Sequence, residues 1–190
     1  MHNRALSLIL EEEMTVENWK NALTLRPIGF VRSELKAPLR RDEKDPLDFS
    51  EQVEKIRMQM RQVKELISEL VVDPDLVDLL DGIEAFSHIV VLYWPHLIPE
   101  ERRRIVRVHP MGLKDLPETG VFATRSPARP NPVLVSTVEL LEHNGNILKV
   151  RGLEAVDGSP IVDIKPYTEI YPAIRAPRFS EWLRSVLQEK

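Results

Sequence analysis

Apolar residues recur along this chain with two different periods. In EQVEKIRMQMRQVKELISEL (51–70), Val53, Ile56, Met60, Val63, Ile67 and Leu70 fall three or four apart, which predicts a helix with one apolar stripe. The stripe covers fewer than three heptads, so the helix is expected to lie against the body of the domain or a second subunit. PDLVDLLDGI (74–83) predicts a short helix stopped at Gly82. From residue 88 the pattern shifts to short β-branched and aromatic runs. HIVVLYWPH (88–96), RIVRVHP (104–110), GVFAT (120–124), VLVSTVELLE (133–142), ILKVRGL (147–153) and SPIVDIKPY (159–167) predict strands, as does LRPIGFVRS (25–33). HNGN (143–146) and VDGS (156–159) are hairpin signals. The expected fold is mainly β: a small, roughly seven-stranded barrel over residues 23–170, with a helical insertion at about 47–72. Residues 1–22 are expected to form an N-terminal extension. Residues 171–190 are expected to hold a C-terminal helix, carried by FSEWLRSVLQE (179–189).

Composition narrows the class. At 190 residues, 43% hydrophobic and 29% charged, the chain suits one soluble domain with a real core. No run approaches a membrane span of roughly 18 apolar residues, and the acidic N-terminal stretch does not resemble a signal peptide. With no cysteine, disulfides, thiolate catalysis and cysteine-ligated metals are excluded, and a cytoplasmic location is expected. Net charge is −4, yet Arg102, Arg103, Arg104 and Arg107 cluster, with Arg125 and Arg129 further on. Such a basic face suits a specific polyanion, or is an ordinary solvated helix end. The chain has no G-x-G-x-x-G, Walker A or H-E-x-x-H pattern, so a nucleotide-like cofactor would not sit on a Rossmann unit, and no metal site is expected.

Three stretches carry candidate chemistry. GVFATRSPARPNP (120–132) contains Pro127, Pro130 and Pro132, which restrict their own backbone and that of Ser126, Arg129 and Asn131. It reads either as a rigid support presenting Arg125, Ser126, Arg129 and Asn131 to an anion or nucleobase, or as a stiff connector whose arginines cap carbonyls. LDGIEAFSHIVVLYWPH (80–96) carries His88 at a strand start and His96 at the far end, where ligand loops begin. In LEAVDGSPIVDIKPY (153–167), Asp157-Gly158 forms a tight turn, and Asp163, Lys165 and Tyr167 alternate on one strand face.

Together with PIGFVRS, and in this order, these stretches resemble the TsaA-like, or TrmO-like, family of tRNA methyltransferases from Leu25 to Tyr167. The resemblance implies a dimeric barrel that binds S-adenosylmethionine and methylates N6 of threonylcarbamoyladenosine beside the tRNA anticodon. It places cofactor contacts on His96, Leu97, Arg125 and Val135, and on Ala155, Val156, Asp157, Gly158 and Ser159. Pro38, Leu39 and Arg40 stand approximately where the family has a PRQ-like stretch. Asp163, Asp157 and Tyr167 are the candidates for orienting or accepting the acceptor proton, with His88 a substitute. Arg102, Arg103, Arg104, Arg107, Arg129, Asn131 and Lys165 would grip tRNA, and Phe122 and Tyr167 would offer stacking surfaces. The 51–70 helix lengthens the segment between the first two motifs, and past Tyr167 only one helix is expected. A non-catalytic S-adenosylmethionine sensor and a purely RNA-binding barrel remain as other readings.

Overall fold

The computed structural model describes residues 23–38, 48–168 and 177–187. The expected N-terminal extension (1–22) lies outside these residues. The body is a closed, wholly antiparallel barrel of six strands. They are β1 (Gly29–Arg32), β2 (Ile67–Val72), β3 (His88–Tyr93), β6 (Leu134–Asn144), β7 (Ile147–Arg151) and β8 (Pro160–Pro166). Around the barrel the order is β1-β2-β7-β6-β3-β8, with β8 returning to β1. Two further strands, β4 (Arg107–Val108) and β5 (Thr119–Gly120), form a separate ribbon.

Alternation supplies the core. In β2 and β3 every second residue is buried, so Leu70, Val72, Ile89, Val91 and Tyr93 point inward with Val31, Val138, Leu148, Val150 and Ile161. Closing the ring removes the exposed edges that an open antiparallel sheet would present. β1 approaches β2 so closely that a Cβ at Gly29 would lie 2.2 Å from the Val71 carbonyl oxygen. The HNGN segment makes the β6–β7 hairpin, with Gly145 at φ +60°.

The helix α1 (Phe49–Glu65) is shorter than the apolar stripe predicts. Its start is fixed by a capping box: Glu51 N–H donates to Asp48 Oδ1 at 2.9 Å, and Asp48 N–H donates to Glu51 Oε2 at 2.9 Å. Leu66 turns extended and the chain enters β2, so Ile67 and Leu70 belong to a barrel strand, and the insertion expected to reach residue 72 ends at Glu65. The helix packs on the body as expected: Val53, Phe49 and Ile56 meet Leu113, Leu116, Val186 and Trp182 in a second small core. Val186 and Trp182 come from α2 (Glu181–Leu187), within the stretch expected to close the chain as a helix.

Two other expected strands shrink. Of residues 104–110 only Arg107–Val108 pairs, and of 120–124 only Gly120, after which Val121–Ala123 is a 3-10 turn. The 74–83 segment is likewise 3-10 rather than α-helical. The barrel therefore has six strands, with the short β4–β5 ribbon beside it. No described helix is long and apolar enough to cross a membrane.

Candidate functional site

A cleft of about 300 Å³ opens at one end of the barrel. Four stretches that are far apart in sequence make its walls. The first follows β3: after buried Tyr93 the chain turns through Pro95 to exposed His96 and Leu97, then is anchored again by buried Ile98. The second is the proline-rich segment with the start of β6, contributing Arg125, Pro127, Arg129, Val133, Leu134 and Val135. Glu154, Val156 and Ser159 form the third wall, and Pro38 the fourth.

The proline-rich stretch is a set of side-chain-supported turns. Thr124 Oγ1 donates to Val121 O at 2.8 Å and accepts from Ser126 N–H at 3.2 Å, and Ser126 Oγ accepts from Ala128 N–H at 3.3 Å. Both arginines bind carbonyls within this region. Arg125 donates to Val135 O; Arg129 donates to Thr124 O at 2.8 Å and Val121 O at 3.3 Å. The carbonyl-capping alternative therefore holds, and both arginines also line the cleft. Their guanidiniums are held by carbonyls while remaining cationic, which limits the freedom lost on meeting a ligand. Arg129 also lies 6.0 Å from the ring centre of Phe122, which is 77% exposed.

Asp157 does not line the cleft; it ties two walls together. Its Oδ1 accepts from Ser33 N–H at 2.9 Å and its Oδ2 from Lys36 Nζ at 2.8 Å. Asp157 N–H in turn donates to Leu35 O at 2.8 Å, and Gly158 N–H to Val31 O at 2.8 Å. The segment leading to Pro38 is thereby fastened to the turn before β8. The Lys36 bond, followed by that from Ser33, holds the Asp157 carboxyl below its ordinary pKa. Gly158 sits at φ +76°, where only glycine is unstrained, and its Cα faces the His96 ring. Ser159 Oγ and His96 Nδ1 are 3.5 Å apart.

Seven residues assigned to the cofactor by resemblance line the cleft: Pro38, His96, Leu97, Arg125, Val135, Val156 and Ser159. Ala155 is buried behind the wall, and Asp157 and Gly158 form the turn beside it. Leu39 and Arg40 lie outside the described residues.

The acid–base candidates are not gathered. Asp163 sits opposite Leu92, and Lys165 opposite Val90, on the outer wall of the barrel. There Asp163 is 2.5 Å from Lys165 and accepts from Ile164 N–H at 2.9 Å. Tyr167 N–H donates to His88 O, at the end of β3 away from the cleft, and the two rings meet edge-on at 6.5 Å. Asp163, Lys165 and Tyr167 do alternate on one face, but that face points away from the cleft.

The basic residues divide as well. Arg103 lies over the Trp94 ring at 5.2 Å, which ties the 3-10 turn Glu100–Arg104 to the end of β3. Arg102 and Arg104 are exposed on that turn. Arg107 donates to Glu118 O at 2.7 Å and lies 3.7 Å from its carboxylate. Asn131 is exposed at the end of the proline-rich stretch.

Sequence reasoning missed two cleft residues with chemical consequence. Tyr93 is 1% exposed and its hydroxyl is 3.4 Å from Ser136 Oγ. Burial first, and then the negative charge of Glu154, push its pKa well up, so the phenol stays protonated. Glu154 stands beside Ala155 in a stretch already singled out, and the turn at Asp157-Gly158 drew attention past it.

Three of the four walls, all but Pro38, lie within a stretch that matches a known family. The model of the tRNA-methyltransferase O N-terminal domain matches residues 48–172. The chain belongs to that family. A probable S-adenosyl-L-methionine-binding protein of Methanothermobacter thermautotrophicus is 46% identical over 147 residues, covering 77% of this chain and 91% of the relative. The tRNA (adenine(37)-N6)-methyltransferase of Escherichia coli is 48% identical over 94 residues, 47% of this chain and 40% of that enzyme. Among solved structures, a TrmO from Pseudomonas aeruginosa superposes with TM-score 0.57 at 25% identity. That match covers 83% of this chain and 62% of the other. Within the TrmO N-terminal domain family, then, this chain spans nearly all of one archaeal relative but under two thirds of the solved TrmO chain.

Proposed function

We propose that the cleft binds S-adenosylmethionine and that the chain is a methyltransferase acting on N6 of threonylcarbamoyladenosine beside the anticodon of tRNA. The observation that carries this reading is the convergence of Pro38, His96, Leu97, Arg125, Val135, Val156 and Ser159 on one cleft from four separate stretches. The naming of relatives as an S-adenosyl-L-methionine-binding protein and a tRNA adenine N6-methyltransferase supports it.

The donor set suits the cofactor. The cleft volume is at the small end of the range for ligand sites. Leu97, Leu134, Val135 and Val156 offer apolar wall to a flat base, while Arg125 offers a cation to a carboxylate. When bound, the cofactor supplies an activated methyl group. The protein's task is then alignment and exclusion of water. In this reading Arg125 holds a carboxylate, and the Asp157 tie keeps the Pro38 wall in place. Phe122 and Arg129 flank the acceptor base at the rim, and Arg102 and Arg104 reach phosphates. A homodimer in the cytoplasm belongs to the same proposal.

Transfer of radiolabelled methyl from S-adenosylmethionine to two tRNA pools, with and without threonylcarbamoyladenosine, tests it. Label confined to the modified pool and mapped to the anticodon loop is the expected result. Label in both pools would move the acceptor. Cofactor binding with no label in either would favour a sensor, in keeping with the name of the Methanothermobacter relative.

A further inference from the structure

Among the described residues that line the cleft, Glu154 is the one carboxylate. Its neighbours Leu153 and Ala155 are 0% and 1% exposed, so the backbone on both sides is anchored and Glu154 is turned outward into the opening. The other described lining groups that are charged or titrate are Arg125, Arg129, His96 and Tyr93. Among the described residues Glu154 forms no ion pair, whereas Asp157 and Asp163 are both engaged by lysines. Among the described residues the cleft thus holds two fixed guanidiniums and one negative charge to which no cation is paired. A cation entering it would be repelled by the arginines unless that carboxylate answered it.

We propose that Glu154 is the specificity-determining residue by which the cleft distinguishes a cationic methyl donor from the neutral thioether that remains after transfer. This rests on the reading of the cleft as an S-adenosylmethionine site. In the transfer, the acceptor nitrogen's lone pair forms the new bond to the methyl carbon. The C–S bonding pair stays on sulfur, and the nitrogen's proton passes to solvent. Sulfur loses its positive charge, while the ammonium and carboxylate of the amino-acid group are unchanged. A carboxylate facing the sulfur therefore favours donor over product, and its loss of hold after transfer favours release. A carboxylate facing only the ammonium would treat both alike.

Isothermal titration of the full chain with S-adenosylmethionine and with S-adenosylhomocysteine tests this, using wild type, Glu154→Gln and Glu154→Asp. Glu154→Gln is expected to lose at least about fivefold in affinity for the cationic ligand and to change less than about twofold for the neutral one. Glu154→Asp keeps the charge and is expected to retain most of the wild-type preference, which also shows that the site tolerates substitution. Equal loss for both ligands, or no loss for either, overturns the assignment. Should wild type bind neither ligand, the S-adenosylmethionine reading fails instead, and the two failures are distinct.

Discussion

Asp157 shows how a residue can matter to a site without entering it. Its carboxylate joins the segment that leaves β1 to the turn that enters β8, through Ser33 N–H and Lys36. Because its folded pKa lies below the ordinary value, its contribution to stability is fully present above the usual carboxylate range. That contribution is lost as pH falls through the lowered value. Asp157→Asn is therefore expected to unfold at a lower temperature than wild type at neutral pH, with the gap closing on acidification; thermal melts at several pH values check this. Phe122 is the opposite case, an aromatic ring left 77% exposed next to a guanidinium at the cleft rim. Phe122→Ala is expected to weaken tRNA binding by about 1–3 kcal/mol, the range for one stacked base, with melting temperature unchanged. Filter binding and a thermal melt together separate the two effects.

Elements were legible where one period held for their whole length. β3 and the β6–β7 turn could be read directly, β3 as a run of apolar, mostly β-branched or aromatic residues after His88 and the turn from HNGN. β2 could not: Ile67 and Leu70 continue the three-and-four spacing of Val53, Ile56, Met60 and Val63 across the end of the helix. What breaks the helix is Leu66 turning extended so that Ser68, Leu70 and Val72 face the barrel interior, a tertiary demand stronger than local pattern. The site divides in the same way. Motif order placed seven cleft residues, but the alternation of Asp163, Lys165 and Tyr167 could not say which side of the wall they face. A register shift where β8 passes Leu92 and Tyr93 further obscures the in–out rule. At the β1–β2 contact, Gly29→Ala would drive a methyl group into the Val71 carbonyl, and a loss of about 1–3 kcal/mol in denaturant unfolding is expected.

For the whole molecule, the charge balance sets what the tRNA proposal can demand. An acidic chain with net charge −4 cannot rely on a general attraction to nucleic acid, so the exposed Arg102 and Arg104 would have to act locally. Replacing both with glutamine is expected to lower the salt dependence of tRNA binding by about one unit of slope for each phosphate no longer neutralised. Cofactor affinity should not change, and binding measured across a salt series tests the pair. The closure of the barrel has a consequence in time. β8 pairs with β1 at Gly29 with Ile161 and Phe30 with Pro160, flanked by hydrogen bonds from Ile28 N–H to Ile161 O and from Val31 N–H to Ser159 O. The stretch just before that seam is the last wall of the cleft to be synthesised. During synthesis the first barrel strand must wait for nearly the whole domain before its final partner emerges, a long-range pairing of the kind that slows folding. The ring and the pocket are completed by the same event, so a ligand held in the cleft would bind only chains that have finished folding and would act as a late-stage check on them.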